Sequence, residues 1–151
     1  MAIRGVSHVA VGVRDMERSL RFYRDVVGLT ISADQPEEFP GIGGGAPTKR
    51  RGVYLRYQDG PDASFLVLDQ QLSREPFGEP PKVFQVGTHH FGFWVDDVDA
   101  IAERARKAGF RLLTQPVNGD SRDYGEAPGK KIRSCFLFDP DGNVVQVDQR
   151  L

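Results

Sequence analysis

Apolar and polar residues alternate over residues 3–13, with Val9, Val11 and Val13 on one side and His8, Ala10 and Gly12 on the other. A period of two marks a half-buried strand. Asp15 follows as a helix N-cap, its carboxylate placed to accept from an early helical N–H. Met16, Leu20, Tyr23 and Val27 then recur at helical spacing, and Gly28 supplies the left-handed residue that ends a helix. Residues 29–33, 52–58 and 64–69 read as three further strands, the last two joined by the turn Asp59-Gly60-Pro61-Asp62.

The same order returns about 82 residues later, which pairs His8 with His90, Ala10 with Gly92 and Asp15 with Asp97. Residues 88–95 read as a strand, and Asp97 caps a helix whose apolar stripe is Val98, Ile101, Ala105 and Ala108, ended by Gly109. Residues 110–114 read as the next strand. Residues 131–138 and 144–149 then pair across Asp139-Pro140-Asp141-Gly142-Asn143, where proline sets φ and Asp-Gly accepts a positive one. The pattern predicts an α+β fold of two βαβββ modules, their mixed sheets curved around a cup. It is read as a single domain over 1–151, with module 1 at about 1–74, module 2 at about 83–151 and a Pro-rich join at 75–82. Residues 35–51 and 117–130 fit no element and read as long loops, of the kind that are often mobile and functional. Gly41-Ile42-Gly43-Gly44-Gly45 lacks the Lys-Ser/Thr of a phosphate loop and reads as a flap.

Composition narrows the partners. With 39% hydrophobic and 27% charged residues the chain is an ordinary globular sequence, and 20 basic against 21 acidic residues suggest neither a nucleic acid nor a membrane surface. No apolar run approaches the ~18 residues of a membrane helix. Met1-Ala2-Ile3-Arg4 has no signal-peptide pattern, and the sole cysteine, Cys135, cannot form an intrachain disulfide; both fit a cytoplasmic protein. Cys135 is expected to be a buried strand residue.

Candidate chemistry starts from the paired histidines. Each alone would read as structural, but both alternate against bulky residues that must pack on the helices, Val9, Val11 and Val13 in one copy and Phe91, Phe93 and Val95 in the other. Their own face is lined by Ala10, Gly12 and Gly92, which leaves room for a ligand. His89 has the opposite parity and is expected to face the helix or the strand end. Gln146 shares a face with Val144 and Asp148, which would bring an amide oxygen to the same cavity. Tyr54 and Arg56 alternate on one face of the third strand, and Arg122, Asp123 and Tyr124 lie in the second long loop. Where these are more than solvated surface residues, Arg56 or Arg122 could hold a substrate carboxylate or enolate and Tyr124 could act as acid or donor.

Four segments carry a resemblance: Ser7-His8-Val9-Ala10-Val11; Arg21-Phe22-Tyr23-Arg24-Asp25-Val26-Val27-Gly28-Leu29; His90 ahead of Val95-Asp96-Asp97-Val98-Asp99; and Phe138-Asp139-Pro140-Asp141-Gly142-Asn143. On these, nearly the whole chain resembles the vicinal oxygen chelate superfamily, which includes glyoxalase I, methylmalonyl-CoA epimerase, extradiol dioxygenases, fosfomycin-resistance thiol transferases and bleomycin-binding proteins. The resemblance implies metal ligands from the first and last strand of each module. His8 and His90 match two of them. Gln146 stands where a glutamate is usual, and the remaining position falls near Leu66 and is apolar. Also implied are a divalent ion (Fe, Mn, Zn or Ni), a small-molecule substrate that chelates it through vicinal oxygens, and a homodimer. The expected activity is a glyoxalase- or dioxygenase-like metalloenzyme, whether dioxygenase, lyase, isomerase or thiol transferase. A neutral amide in place of a carboxylate would hold a cation less tightly but leave it a stronger Lewis acid. The absent first-module carboxylate leans toward dioxygenase-like or transferase-like members. The rival expectation is a metal-free bleomycin-resistance-type binding protein, with Trp94 as a stacking wall and Asp148 as counter-charge, or a metal-free remnant serving only as a scaffold.

Overall fold

Two four-stranded mixed sheets carry the fold, each laid down by a strand, a helical segment and three further strands. The structure, a computed structural model, describes residues 3, 5–41 and 45–151. Residues 42–44 of the expected flap lie outside the described residues. The chain divides into two compact units, Met1–Gly78 and Glu79–Leu151. Among the described residues no helix is long and apolar enough to cross a membrane.

In the first unit, β1 (His8–Val13) leads into α1 (Met16–Leu20), which continues as a π-helix over Arg21–Val27. β2 (Thr30–Phe39), β3 (Thr48–Arg56) and β4 (Phe65–Gln71) complete a sheet of order β1-β4-β3-β2, with β1 and β4 parallel and the other pairs antiparallel. Asp15 caps α1 by accepting from the Arg18 amide at 3.0 Å, and Gly28 closes the π-helix at φ 100°. The wider π turn buries Phe22 as well as the expected Tyr23, and the two rings meet edge-on at 4.9 Å.

Residues 35–51 are not one long loop. Glu37 faces Arg50, Glu38 faces Lys49 and Phe39 faces Thr48, so most of that stretch is a continuation of the β2–β3 hairpin. Cross-strand charge pairs hold it together where apolar alternation is missing: Arg50 Nε donates to Glu37 Oε2 at 2.8 Å, and Arg51 Nε donates to Asp34 Oδ1 at 2.8 Å.

In the second unit, β5 (Phe91–Trp94) precedes α2 (Val98–Lys107), β6 (Val117–Asp120), a 3-10 turn over Ser121–Tyr124, β7 (Lys131–Phe138) and β8 (Val144–Arg150). The sheet order is β5-β8-β7-β6. β5 is shorter than expected, so His90 sits immediately before it. Asp97 caps α2 by accepting from the Ala100 amide at 2.9 Å, and Val98, Ile101, Ala102 and Ala105 are buried, while Ala108 is the exposed C-cap.

The expected strand at 110–114 does not form. Leu113 and Thr114 both donate their amides to the Phe136 carbonyl, at 2.7 and 3.2 Å, which pinches the backbone out of a ladder and leaves Leu112 with a lone bridge to Leu137. Val117–Asp120, read from sequence as loop, pairs with β7 instead. The Asp139 turn is tightly made: Oδ1 accepts from the amides of Asp141 (3.0 Å) and Asn143 (2.8 Å), and Oδ2 accepts from Asn143 Nδ2 (2.8 Å).

Candidate functional site

Strand parity gives each sheet a packed face and an open face. In β1, Val11 and Val13 are buried whereas His8, Ala10 and Gly12 are exposed. Register then assigns the open face across the sheet: His8 opposes Phe65, which opposes Arg56; Ala10 opposes Val67, which opposes Tyr54; Gly12 opposes Asp69, which opposes Gly52. His8 stacks on Phe65 with ring centroids 5.1 Å apart and planes 13° from parallel. The Arg56 guanidinium lies 4.9 Å from the same phenyl centroid and donates to the Ala63 carbonyl at 3.1 Å. Arg56 has no carboxylate partner among the described residues.

Deeper on this face, Arg50 pairs with both Glu37 and Asp69, and Tyr54 donates its hydroxyl to Glu37 Oε1 at 2.8 Å. Burial raises the Asp69 carboxyl above the usual range against the pull of Arg50. At Glu37 burial acts in the same upward sense but is outweighed by hydrogen bonds from Gln35, Tyr54 and Arg50, so its carboxyl lies low.

The second sheet repeats the geometry with different chemistry. Gly92 opposes Gln146, which opposes Phe136; Trp94 opposes Asp148, which opposes Ser134. Gln146 Nε2 donates to Asp148 Oδ1 at 2.8 Å and to the Tyr124 hydroxyl at 3.0 Å. Tyr124 donates its own proton to Asp148 Oδ1 at 2.6 Å and meets Ser134 Oγ at 2.8 Å. A carboxylate only accepts, so the Gln146 group facing Asp148 is its NH₂, and both of its protons are used. That leaves the amide oxygen as the remaining polar atom of Gln146, a side chain that pulls the His90 pKa upward against burial.

His90 Nδ1 lies 2.8 Å from His89 Nδ1, and its ring meets Phe136 edge-on at 5.7 Å. Burial, then the neighbouring His89, holds the His90 imidazole below the usual histidine range, which keeps a lone pair available near neutrality. Trp94, 54% exposed, has Tyr124 at 5.3 Å and the Arg150 guanidinium at 4.4 Å from its ring centroid.

Of the residues singled out from sequence, the structure joins His90, Gln146 and Tyr124 in one network and places Arg56 in the same row as His8. Arg122 is exposed on the 3-10 turn and takes no part in the Tyr124 network. His89 lies just ahead of β5 against His90, with ring centroids 4.6 Å apart and planes tilted by 49°. Leu66 is not the first-unit counterpart of Gln146. It is buried, opposite Val9; the open-face position is Val67, opposite Ala10 as Gln146 is opposite Gly92. The same matching makes Asp69 the counterpart of Asp148, a duplicated carboxylate that the sequence reading missed. Its signal was the 79-residue separation of two aspartates two places beyond Val67 and Gln146.

Arg50 neutralises Asp69, whereas Asp148, 6% exposed, is met by neutral donors. Among the described residues no group of three His, Cys, Asp or Glu side chains is arranged to hold a metal ion.

Comparison with known proteins gives this arrangement a setting. A family model described as the Glyoxalase/Bleomycin resistance protein/Dioxygenase superfamily matches residues 5–147. A probable chloroplastic lactoylglutathione lyase of Arabidopsis thaliana is 29% identical over 149 residues; the match covers 97% of this chain but 36% of that protein, so the chain spans about a third of this relative's length. An ethylmalonyl-CoA/methylmalonyl-CoA epimerase of Cereibacter sphaeroides is 27% identical over 148 residues, covering 95% of this chain and 96% of the relative. The crystal structure of a glyoxalase family protein from Bacillus cereus superimposes with a TM-score of 0.78 at 18% identity, covering 100% of this chain and 97% of that one.

Proposed function

The chain belongs to the Glyoxalase/Bleomycin resistance protein/Dioxygenase superfamily, and from that premise we propose that it is a metal-dependent enzyme whose His90 imidazole and Gln146 amide oxygen hold a divalent ion. His8, on the matching position of the first sheet, is the further ligand that the family resemblance implies. One observation carries this reading: Gln146 spends both amide protons on Asp148 and Tyr124, which leaves its oxygen for His90. Imidazole nitrogen and amide oxygen are donors that Fe, Mn, Zn and Ni all accept.

A bound divalent ion supplies Lewis-acid stabilisation of negative charge on a chelating ligand. The chain's own residues set which ligand that is. Imidazole and amide are neutral and cancel none of the ion's charge, so the favoured substrate is a small molecule that offers two adjacent oxygens as an anion. Arg56, on the open face of the first sheet and without a carboxylate partner among the described residues, is a cation suited to a substrate carboxylate or enolate. Trp94 and Phe136 line the open face beside Gln146 with aromatic surface for its apolar part. Tyr124 already gives its proton to Asp148, so its part is to hold the site in place rather than to act as a free acid. Val67 offers no base where a lyase or epimerase would use a carboxylate, which favours dioxygenase-like or transferase-like chemistry over that of the relatives compared above.

Metal analysis of the purified protein beside His8→Ala and His90→Ala tests the proposal: near-stoichiometric metal is expected in the parent and its loss in both variants. The half-exposed Trp94 between Tyr124 and Arg150 supports a second reading, a metal-free binding protein for aromatic compounds. Metal-free protein that binds such a compound equally well in both histidine variants would overturn the first reading in favour of the second.

A further inference from the structure

Asp148 is the least accessible polar group on the open face of the second sheet that also touches the proposed ligand set. It is 6% exposed, yet its Oδ1 accepts from two donors, Tyr124 at 2.6 Å and Gln146 at 2.8 Å. Neither is a cation. The one arginine on the neighbouring register position, Arg150, is bonded to Glu126 instead, at 3.0 Å through Nη1. A buried carboxylate without a cation is costly unless something repays it. Its counterpart in the first unit shows the contrast: Asp69 is paired directly with Arg50.

The hydrogen-bond directions show what the charge does. An amide has one acceptor oxygen and two N–H donors. Without Asp148, Gln146 could turn either end toward His90. With Asp148 the amide has one favourable orientation, because turning it would set its oxygen against a carboxylate. Tyr124 reinforces this, since its only proton is spent on Asp148 and its oxygen can then only accept from Gln146. An amide whose N–H groups bond to an anion also carries more negative charge on its oxygen, as hydrogen bonds in series polarise one another.

We propose that Asp148 is a positioning residue: it locks Gln146 with its amide oxygen toward His90 and supplies, one bond network behind, the negative charge that the amide itself lacks. The divalent-ion half of this rests on the function proposed above; the locking of Gln146 does not. It follows that a neutral ligand at position 146 does not mean a weakly held cation.

The experiment uses cobalt(II) as the probe, with the whole chain and two readouts. Calorimetric and visible-absorption titration compare the parent with Asp148→Asn and with the double variant Asp148→Asn/Gln146→Glu. Asp148→Asn is expected to bind cobalt about 10- to 100-fold more weakly, in the range found for residues that orient metal ligands. The double variant, which moves the carboxylate from 148 to 146, is expected to recover most of that loss. Thermal unfolding of all three serves as the fold control, since a merely structural Asp148 would lower stability without rescue by Gln146→Glu. In parallel, the side-chain amide protons of Gln146 are followed by NMR in metal-free protein. They are expected to be shifted downfield and slow to exchange in the parent and ordinary in Asp148→Asn.

Cobalt binding that is unchanged in Asp148→Asn overturns the inference and leaves the metal reading standing. A parent that takes up no cobalt but shows protected Gln146 amide protons, lost in Asp148→Asn, overturns the metal reading and upholds the lock. Unprotected Gln146 protons in the parent overturn the inference whatever cobalt does.

Discussion

Tyr124 donates its hydroxyl to Asp148 at 2.6 Å, tying the 3-10 turn that follows β6 to the middle of β8. The same oxygen accepts from Gln146 and meets Ser134, so one phenol joins its own turn to both β7 and β8. Tyr124→Phe should cost about 1–3 kcal/mol, the price of leaving buried polar groups short of a partner. Burial first, and then Asp148, hold the Tyr124 hydroxyl above the usual tyrosine range. A raised folded-state pKa contributes stability that is full below the unfolded value and lost as pH rises through the folded one. In the parent, unfolding free energy should therefore fall on the alkaline side of about pH 10. In Tyr124→Phe that fall should be shallower. Urea denaturation across the alkaline range checks both; identical slopes would refute the assignment.

Arg50 presents a second network with the opposite logic. Its guanidinium, 19% exposed, joins Glu37 and Asp69, which are 18% and 23% exposed. Arg50→Met keeps the stem but strands two partly buried carboxylates, and the loss at neutral pH should be about 3 kcal/mol, at the low end for breaking a buried pair because some solvent remains. The sign with pH is distinctive. Without Arg50 both carboxyls titrate higher, so the penalty should shrink as pH falls and protonation removes the stranded charge. Denaturation of parent and variant at neutral and at mildly acidic pH reads this directly; a penalty that grows on acidification would exclude the network as the cause.

How much of this was legible follows from which forces hold each element. The two βαβββ modules show in the sequence because their strands alternate against a helix and because Asp15 and Asp97 are true caps. The outer half of the β2–β3 hairpin is hidden because Glu37–Arg50 and Glu38–Lys49 pairs do the work of apolar residues, and a charge-rich stretch reads as loop. The first-unit position, expected near Leu66 and apolar, is matched by register to Val67; sequence alone leaves it uncertain by one residue, and in a strand one residue changes the face. The site is half legible for a related reason. His8, His90 and Gln146 could be assigned to a face by parity alone. The Tyr124 hydroxyl that reinforces the orientation of Gln146 comes from 22 residues away in sequence, and no local pattern announces it.

Cys135 is buried in β7, its thiol directed to the Thr114 carbonyl at 3.2 Å. Burial pushes its pKa up to about 11, so the thiolate that reacts with electrophiles is nearly absent near neutrality. A disulfide exchange reagent should leave native protein unlabelled at mildly alkaline pH and label one thiol once denaturant unfolds the second unit. Labelling should track unfolding measured by fluorescence. Rapid labelling of folded protein would show that the β7 core opens locally.

Phe84 is the one described non-glycine residue with positive φ, at 68°, and its side chain is 91% exposed. A bulky side chain in the left-handed region costs roughly 1–2 kcal/mol. The turn holds it there: Gln85 donates its amide to the Lys82 carbonyl at 3.1 Å, and Lys82 donates its own to Gln85 Oε1 at 2.9 Å. Exposure this high gives the ring little packing to offset the strain; among the described residues its ring contact is His89, 5.9 Å between centroids. Phe84→Ala and Phe84→Gly remove that contact equally, but only glycine also relieves the backbone. The glycine variant should therefore be more stable than the alanine variant by about 1 kcal/mol, despite glycine's greater freedom in the unfolded chain. Paired thermal or urea denaturation gives the difference, and an alanine variant at least as stable as the glycine one would mean that the turn relaxes away from positive φ once the phenyl is gone.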